Sequence, residues 1–132
     1  MQIIQQYPPN IAKIKEKFNL AGKQPVFAYG DRIYNPFANN LPDHIIEHEK
    51  THLKQQEGMT IEEWWNKYLE DPEFRLNQEI EAYRVQYKYL EENANRADRR
   101  LWLKRMVKDV SGAMYGNMVS AKRAEELITF NQ

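Results

Sequence analysis

The chain has 132 residues, 42% of them hydrophobic and 12% aromatic, which suits a single folded domain over residues 1–132 and excludes a disordered tail. Nineteen basic and nineteen acidic residues cancel, which argues against a dedicated nucleic-acid binder. With no cysteine there are no disulfides and no thiolate ligands, so any metal must be held by histidine and carboxylates.

Pro8-Pro9 precedes a short amphipathic stretch with Ile11, Ile14 and Phe18 at helical spacing, closed by Gly22. Val26-Phe27-Ala28-Tyr29 and Arg32-Ile33-Tyr34, aromatic and β-branched around Gly30-Asp31, predict a small β-hairpin. Asn35 to Pro42 is turn-rich. A helix is predicted from Asp43 to Glu57, stopping near Gly58. Thr60-Ile61-Glu62-Glu63 is a capping box that opens a helix carrying Trp64, Trp65, Tyr68 and Leu69. Asp71-Pro72 supplies an N-cap and a first-position proline for a long helix to Asn93. A basic helix from Arg96 to Val110 is broken by Ser111-Gly112, and a last helix begins at Ser120. The fold class is α+β and predominantly helical, with a small hairpin before the histidine-bearing helix.

His48-Glu49-Lys50-Thr51-His52 is an HExxH pentapeptide inside the helix from Asp43. Two imidazoles spaced by four leave a helix on one side, one turn apart, so that both can bind one zinc ion (Zn2+) while Glu49 reaches a water on the metal. His44-Ile45-Ile46-Glu47-His48 is also HxxEH, the inverted motif, and shares His48. At about 100° per residue, Leu41, Ile45, Glu49, His52 and Leu53 cluster within about 120°. His48 flanks that stripe, whereas His44 and Glu47 fall outside it, on the side expected to face water. This phase favours the HExxH frame and makes His44 a surface residue. The three histidines together span roughly 12 Å of helix axis, too far for one ion. There is no fourth histidine, so the third ligand must be a carboxylate from another element.

The long helix after Asp71-Pro72 offers Glu79 and Glu81. Its apolar stripe is Leu76, Ile80, Tyr83, Tyr87 and Leu90. Glu79 lies about 60° from the centre of that stripe and Glu81 about 140° away, among Asn77, Arg84 and Lys88. Glu79 is therefore the preferred metal ligand, against a plainer role as an edge carboxylate bonded to a tyrosine or arginine. Glu81 reads as a solvated helix charge.

His48-Glu49-Lys50-Thr51-His52 followed by Glu79-Ile80-Glu81-Ala82 resembles the gluzincin metallopeptidases. It is most similar to the branch with the membrane CAAX-prenyl proteases, whose second motif is E-x-x-A-D, and aligning on Ala82 again selects Glu79. The hairpin, Gln55-Gln56 and Met114-Tyr115-Gly116 also resemble small phage- or prophage-encoded HExxH proteins. The resemblance covers Asp43 to Tyr87, and it implies a minimal zincin-like domain. The acidic residue expected after the alanine is Tyr83 here. The carboxylate that usually orients a zinc-bound histidine is thus missing at that place, and another carboxylate, a backbone carbonyl or water must supply it.

The expected function is a zinc-dependent hydrolase, a peptidase acting on a peptide or protein substrate. His48, His52 and Glu79 hold the metal, and Glu49 deprotonates the attacking water. Arg32-Ile33-Tyr34, given an open edge, would hold an extended peptide by backbone pairing. Tyr115 and Arg84 are candidates for stabilising the oxyanion, each with a structural alternative. The main rival is a non-catalytic or regulatory zinc-binding phage-type protein that keeps the fold for partner binding. Arg96, Arg99, Arg100, Lys104, Arg105 and Lys108 would suit nucleic acid, but cations around Leu101, Leu103, Met106 and Val107 read as the solvated face of a packed helix, so no nucleic-acid partner is expected. Met1–Gln6 has no basic segment followed by an apolar run, and no stretch approaches about 18 apolar residues. No membrane partner and a cytoplasmic location are expected.

Overall fold

The computed structural model describes residues 1–130. In chain order it contains β1 (Gln2–Ile4), α1 (Ile11–Lys17), β2 (Phe27–Tyr29), β3 (Arg32–Tyr34), α2 (Asp43–Glu57), α3 (Ile61–Glu70), α4 (Pro72–Asn93), α5 (Arg96–Val110), a 3-10 turn (Ala113–Tyr115) and α6 (Ala121–Ile128). It is mostly helical with one small sheet, as the sequence predicts. No helix among the described residues is long and apolar enough to cross a membrane.

The predicted hairpin forms, with Tyr29 opposite Arg32 and Phe27 opposite Tyr34. Gly30, at φ 69°, takes the left-handed position that a two-residue turn requires and that a side chain would resist. The sheet has a third strand that the sequence pattern does not reveal: β1 pairs in parallel with β3, Ile3 opposite Ile33. The strand order is β1-β3-β2, which makes β3 the central strand. The expectation that Arg32-Ile33-Tyr34 has an open edge is therefore corrected, because both of its edges are paired.

The helix starts follow their capping chemistry. Thr60 accepts from the Glu63 amide at 3.1 Å, and Asp71 accepts from the Glu73 and Phe74 amides at 3.0 and 3.2 Å, with Pro72 opening α4. α1 is shorter than its apolar spacing suggests, ending at Lys17 with Phe18 already extended.

Two apolar clusters flank the interior. One joins Leu76, Ile80 and Leu90 of α4 to Met106 and Val110 of α5, Tyr115, and Ala124 and Ile128 of α6. The other gathers Ile14, Phe27, Tyr34, Trp64, Trp65, Tyr68 and Leu69. Trp64 stacks on Tyr68 with centroids 5.0 Å apart and meets Trp65 edge-on at 5.2 Å. The tryptophan pair is thus core, and burying one such ring contributes about 4 kcal/mol before ordering costs. Leu53 of α2 packs with Ala28 and Ile33 of the sheet. Between the two larger clusters, α2 lies along α4 in the most extensive helix pairing of the fold.

Arg75 ties the second cluster to the 3-10 turn. It is 4% exposed and is paired with no carboxylate among the described residues: its Nη1 donates to the Tyr68 and Leu69 carbonyls at 2.6 and 3.1 Å, and its Nε to the Met114 carbonyl at 2.8 Å. Tyr68 and Leu69 lie in the last turn of α3, where the helix dipole favours a cation. The guanidinium also lies 4.9 Å from the Phe18 ring centroid.

Candidate metal centre

α2 is an uninterrupted helix through the HExxH pentapeptide, so His48 and His52 leave it one turn apart and towards α4. Their rings meet edge-on, with centroids 4.9 Å apart. On α4, Glu79 faces both: its Oε1 lies 3.0 Å from His48 Nε2 and 2.9 Å from His52 Nε2. One donor atom from each of the three residues lies within 4.8 Å of the others, and all three side chains are buried. Tetrahedral ligation at about 2.0–2.1 Å separates ligand atoms by roughly 3.3 Å. The two Glu79 contacts would open by a few tenths of an ångström, while the two imidazole nitrogens, no more than 4.8 Å apart, would have to close towards that spacing by side-chain rotation. The donor set, two imidazole nitrogens and one carboxylate oxygen, suits zinc. The residues brought together are the three candidate ligands that the sequence selected; Glu79, at 5% exposure, is buried rather than at an edge, and it is bonded to a tyrosine as the plainer reading of it expected.

The remaining ring nitrogens are held by side-chain amides. His48 Nδ1 lies 2.9 Å from Gln86 Oε1, and the Gln86 Nε2 lies 2.9 Å from His44 Nδ1. His52 Nδ1 lies 2.8 Å from Gln55 Oε1. The orientation of the Gln55 amide is fixed, because its Nε2 donates to the Gln78 carbonyl at 3.0 Å and to Glu81 Oε1 at 3.1 Å. Both are acceptors only, so the Gln55 oxygen must face His52, and His52 Nδ1 must be the donor. Each histidine thereby turns its Nε2 towards Glu79, and that is the nitrogen a metal would take. Sequence reasoning looked for a carboxylate, a carbonyl or water in this role. The structure supplies two glutamine amides instead, and Glu81, although exposed, has a part in fixing one of them.

His44 is the second correction. It is 7% exposed, bonded to Gln86 and edge-on to Trp102 of α5 at 4.4 Å, so it is no surface residue. A single apolar stripe understates the buried surface of α2. The helix has two adjacent buried faces: Leu53 packs with the sheet residues Ala28 and Ile33, while His44, His48 and His52 face α4 and α5. Repetition at intervals of four was the available signal, since such residues share a face.

The carboxylate is held on its far side as well, where the Tyr68 hydroxyl donates to Glu79 Oε2. Burial disfavours ionisation of Glu79, but the facing imidazoles outweigh it and hold the carboxyl well below the usual range. For His52, burial opposes the cation, yet Glu79, by charge and hydrogen bond, raises its pKa to about 9. Burial lifts Tyr68 well above the normal phenol range, with the Glu79 charge adding to it. Tyr83, standing where the resemblance expects an acid, packs edge-on against His48 at 4.6 Å and donates through its hydroxyl to Asp109. Tyr115 donates to the same Asp109 oxygen at 3.3 Å. Of the two oxyanion candidates, Tyr115 is thus spent on Asp109, and Arg84 Nε donates to the Leu127 carbonyl at 2.6 Å.

Glu49 takes no part in the hydrogen bonds that fix its polar neighbours. It is half-buried and lines a cavity of about 120 Å³ together with His52, Glu79 and Tyr68. Burial pushes its carboxyl up; the His48 and His52 imidazoles pull it down, and Glu79 pushes it up again. Glu49 is thus a carboxylate with a raised pKa beside three side chains that could hold a metal. The outer edge of β2 beside it is partly closed. The Ala28 carbonyl accepts from Gln56 Nε2 at 2.9 Å and Trp65 Nε1 at 3.1 Å, and the Gly30 amide donates to Gln56 Oε1 at 2.7 Å. On α5, Arg96, Arg100, Lys104, Arg105 and Lys108 are exposed and Arg99 is half-buried, with Arg105 over the Trp102 ring at 4.8 Å.

Compared with known proteins, the chain matches no family model, no curated sequence and no solved structure.

Proposed function

We propose that this chain is a zinc-dependent hydrolase, most specifically a peptidase, with His48, His52 and Glu79 as ligands and Glu49 as general base. The observation that carries this reading is the convergence of two Nε2 atoms and one carboxylate oxygen, all buried and within 4.8 Å of one another, beside a half-buried glutamate that those hydrogen bonds leave free. Zinc held there would polarise a scissile carbonyl and acidify water towards neutrality. Glu49 would take the proton from the attacking water and pass it to the departing amine, a transfer of about 10²–10⁴-fold in rate. Gln55 and Gln86 would keep both imidazoles in the tautomer with Nε2 free. Tyr68, donating to Glu79, would hold the third ligand in register. Peptidase rather than another hydrolase rests on the resemblance of the HExxH and Glu79-Ile80-Glu81-Ala82 segments to the gluzincins.

Glu49→Gln separates catalysis from partner binding. The variant should retain zinc, and its hydrolysis of a denatured protein or peptide library should fall by at least about 100-fold. Unchanged biological effect with zinc retained would favour the non-catalytic binding protein.

A further inference from the structure

Resting on the hydrolase reading, we infer that the N-terminal segment 14–27 builds a specificity pocket for a branched aliphatic side chain next to the scissile bond of the substrate. This segment lies outside the part of the chain that resembles metallopeptidases. It nevertheless supplies six of the fourteen residues that line the 120 Å³ cavity, Ile14, Phe18, Leu20 and Val26 among them, with Glu49 and His52 at the polar end. Phe18 is fixed there by Arg75, and Ile14 is 2% exposed within the aromatic cluster.

The volume and the lining select the occupant. An apolar cavity of about 150 Å³ stays dry and takes up benzene, so 120 Å³ matches a leucine-sized group. No lysine or arginine lines the cavity, and its charged groups are confined to Glu49, His52 and Glu79. A substrate carboxylate would meet no cation, and a polar side chain would leave its hydrogen-bonding groups unpaired against Phe, Trp and Leu. Strand addition offers no substitute for this pocket along β3, whose edges are both paired. Along β2, Gln56 and Trp65 already occupy the Ala28 carbonyl. The side chain entering the cavity would therefore carry much of the recognition.

Amino-acid hydroxamates test this without a known substrate, because the hydroxamate anchors on the metal and the side chain probes the cavity. Zinc-loaded protein is titrated calorimetrically with the hydroxamates of glycine, leucine, lysine and aspartate, the zinc content of every preparation being measured alongside. Leucine hydroxamate should bind about 10- to 100-fold tighter than glycine hydroxamate, as expected for burying that side chain, and the lysine and aspartate compounds should gain nothing. Val26→Trp, which fills the cavity, should bring the leucine-to-glycine ratio close to one. Leu101→Trp, on the exposed face of α5, should leave that ratio as it is. Equal affinity for leucine and glycine, or a preference for lysine or aspartate, overturns the pocket while leaving the metal centre standing. A zinc-loaded protein that binds no hydroxamate at all overturns the open metal site and the pocket with it.

Discussion

Replacing Gln86 by leucine probes the support of the metal site without touching a ligand. The two side chains are similar in volume, and Gln86 is only 4% exposed, so the substitution removes hydrogen bonds more than it disturbs packing. It strips His48 Nδ1 of its acceptor and His44 Nδ1 of its donor, each now bonded at 2.9 Å. Two buried ring nitrogens left unpartnered cost about 1–3 kcal/mol each, so the metal-free protein should lose about 2–6 kcal/mol and melt roughly 10–20 °C lower. Zinc affinity should fall by about 10- to 100-fold, because His48 is no longer held with Nε2 towards Glu79. Competition with a chromophoric chelator at fixed pH measures the affinity, and thermal denaturation in excess chelator measures the stability. Gln86→Glu, which keeps an acceptor for His48, should recover most of the affinity. A folded Gln86→Leu protein that binds zinc as tightly as the parent would refute the role given to the amide.

Two further predictions concern charge in the interior. His52 rises from 6.5 unfolded to about 9 in the folded, metal-free chain, an effect worth about 3 kcal/mol. Its folded pKa being the higher one, that stabilisation is complete below pH 6.5 and is lost as the pH climbs through 9. Glu79, depressed by its imidazole partners, contributes above its ordinary carboxyl range and is lost as the pH falls through its lowered folded value. Denaturant titrations in chelator should therefore show stability declining between pH 6.5 and 9, whereas zinc affinity should rise over the same interval as the metal displaces the His52 proton; a flat chelator profile would refute the coupling. Arg75→Met should cost about 2–3 kcal/mol, since two buried carbonyls and one partly buried carbonyl lose their donor, and a melting temperature equal to the parent's would show that this tie is dispensable.

Much of the helical framework was legible because capping chemistry is local. Thr60, Asp71 and Ser120 each accept amide hydrogens in the helices they open, and α5 occupies the predicted range from Arg96 to Val110. The three candidate ligands could also be selected, since two follow from spacing on one helix and the third from the phase of another. What stayed hidden depends on contacts distant in sequence. β1 is three residues long, mostly exposed and paired with a strand some thirty positions away, so neither its length nor its alternation marks it. His44 was misplaced because α2 is buried on two sides and a single apolar stripe understates its buried arc. Gln55 and Gln86 carry no motif of their own. Their spacing of three from His52 and seven from Glu79 puts each on the ligand face, yet only packing α2 against α4 shows what they hold.

The central claim is that α2 and α4 together form one zinc site, and metal content measures it most directly. The purified chain, incubated with zinc and dialysed against metal-free buffer, should carry one zinc per molecule by elemental analysis, and folded His52→Ala treated in the same way should carry essentially none. A parent protein without metal, or a variant that keeps a full equivalent, would contradict the account.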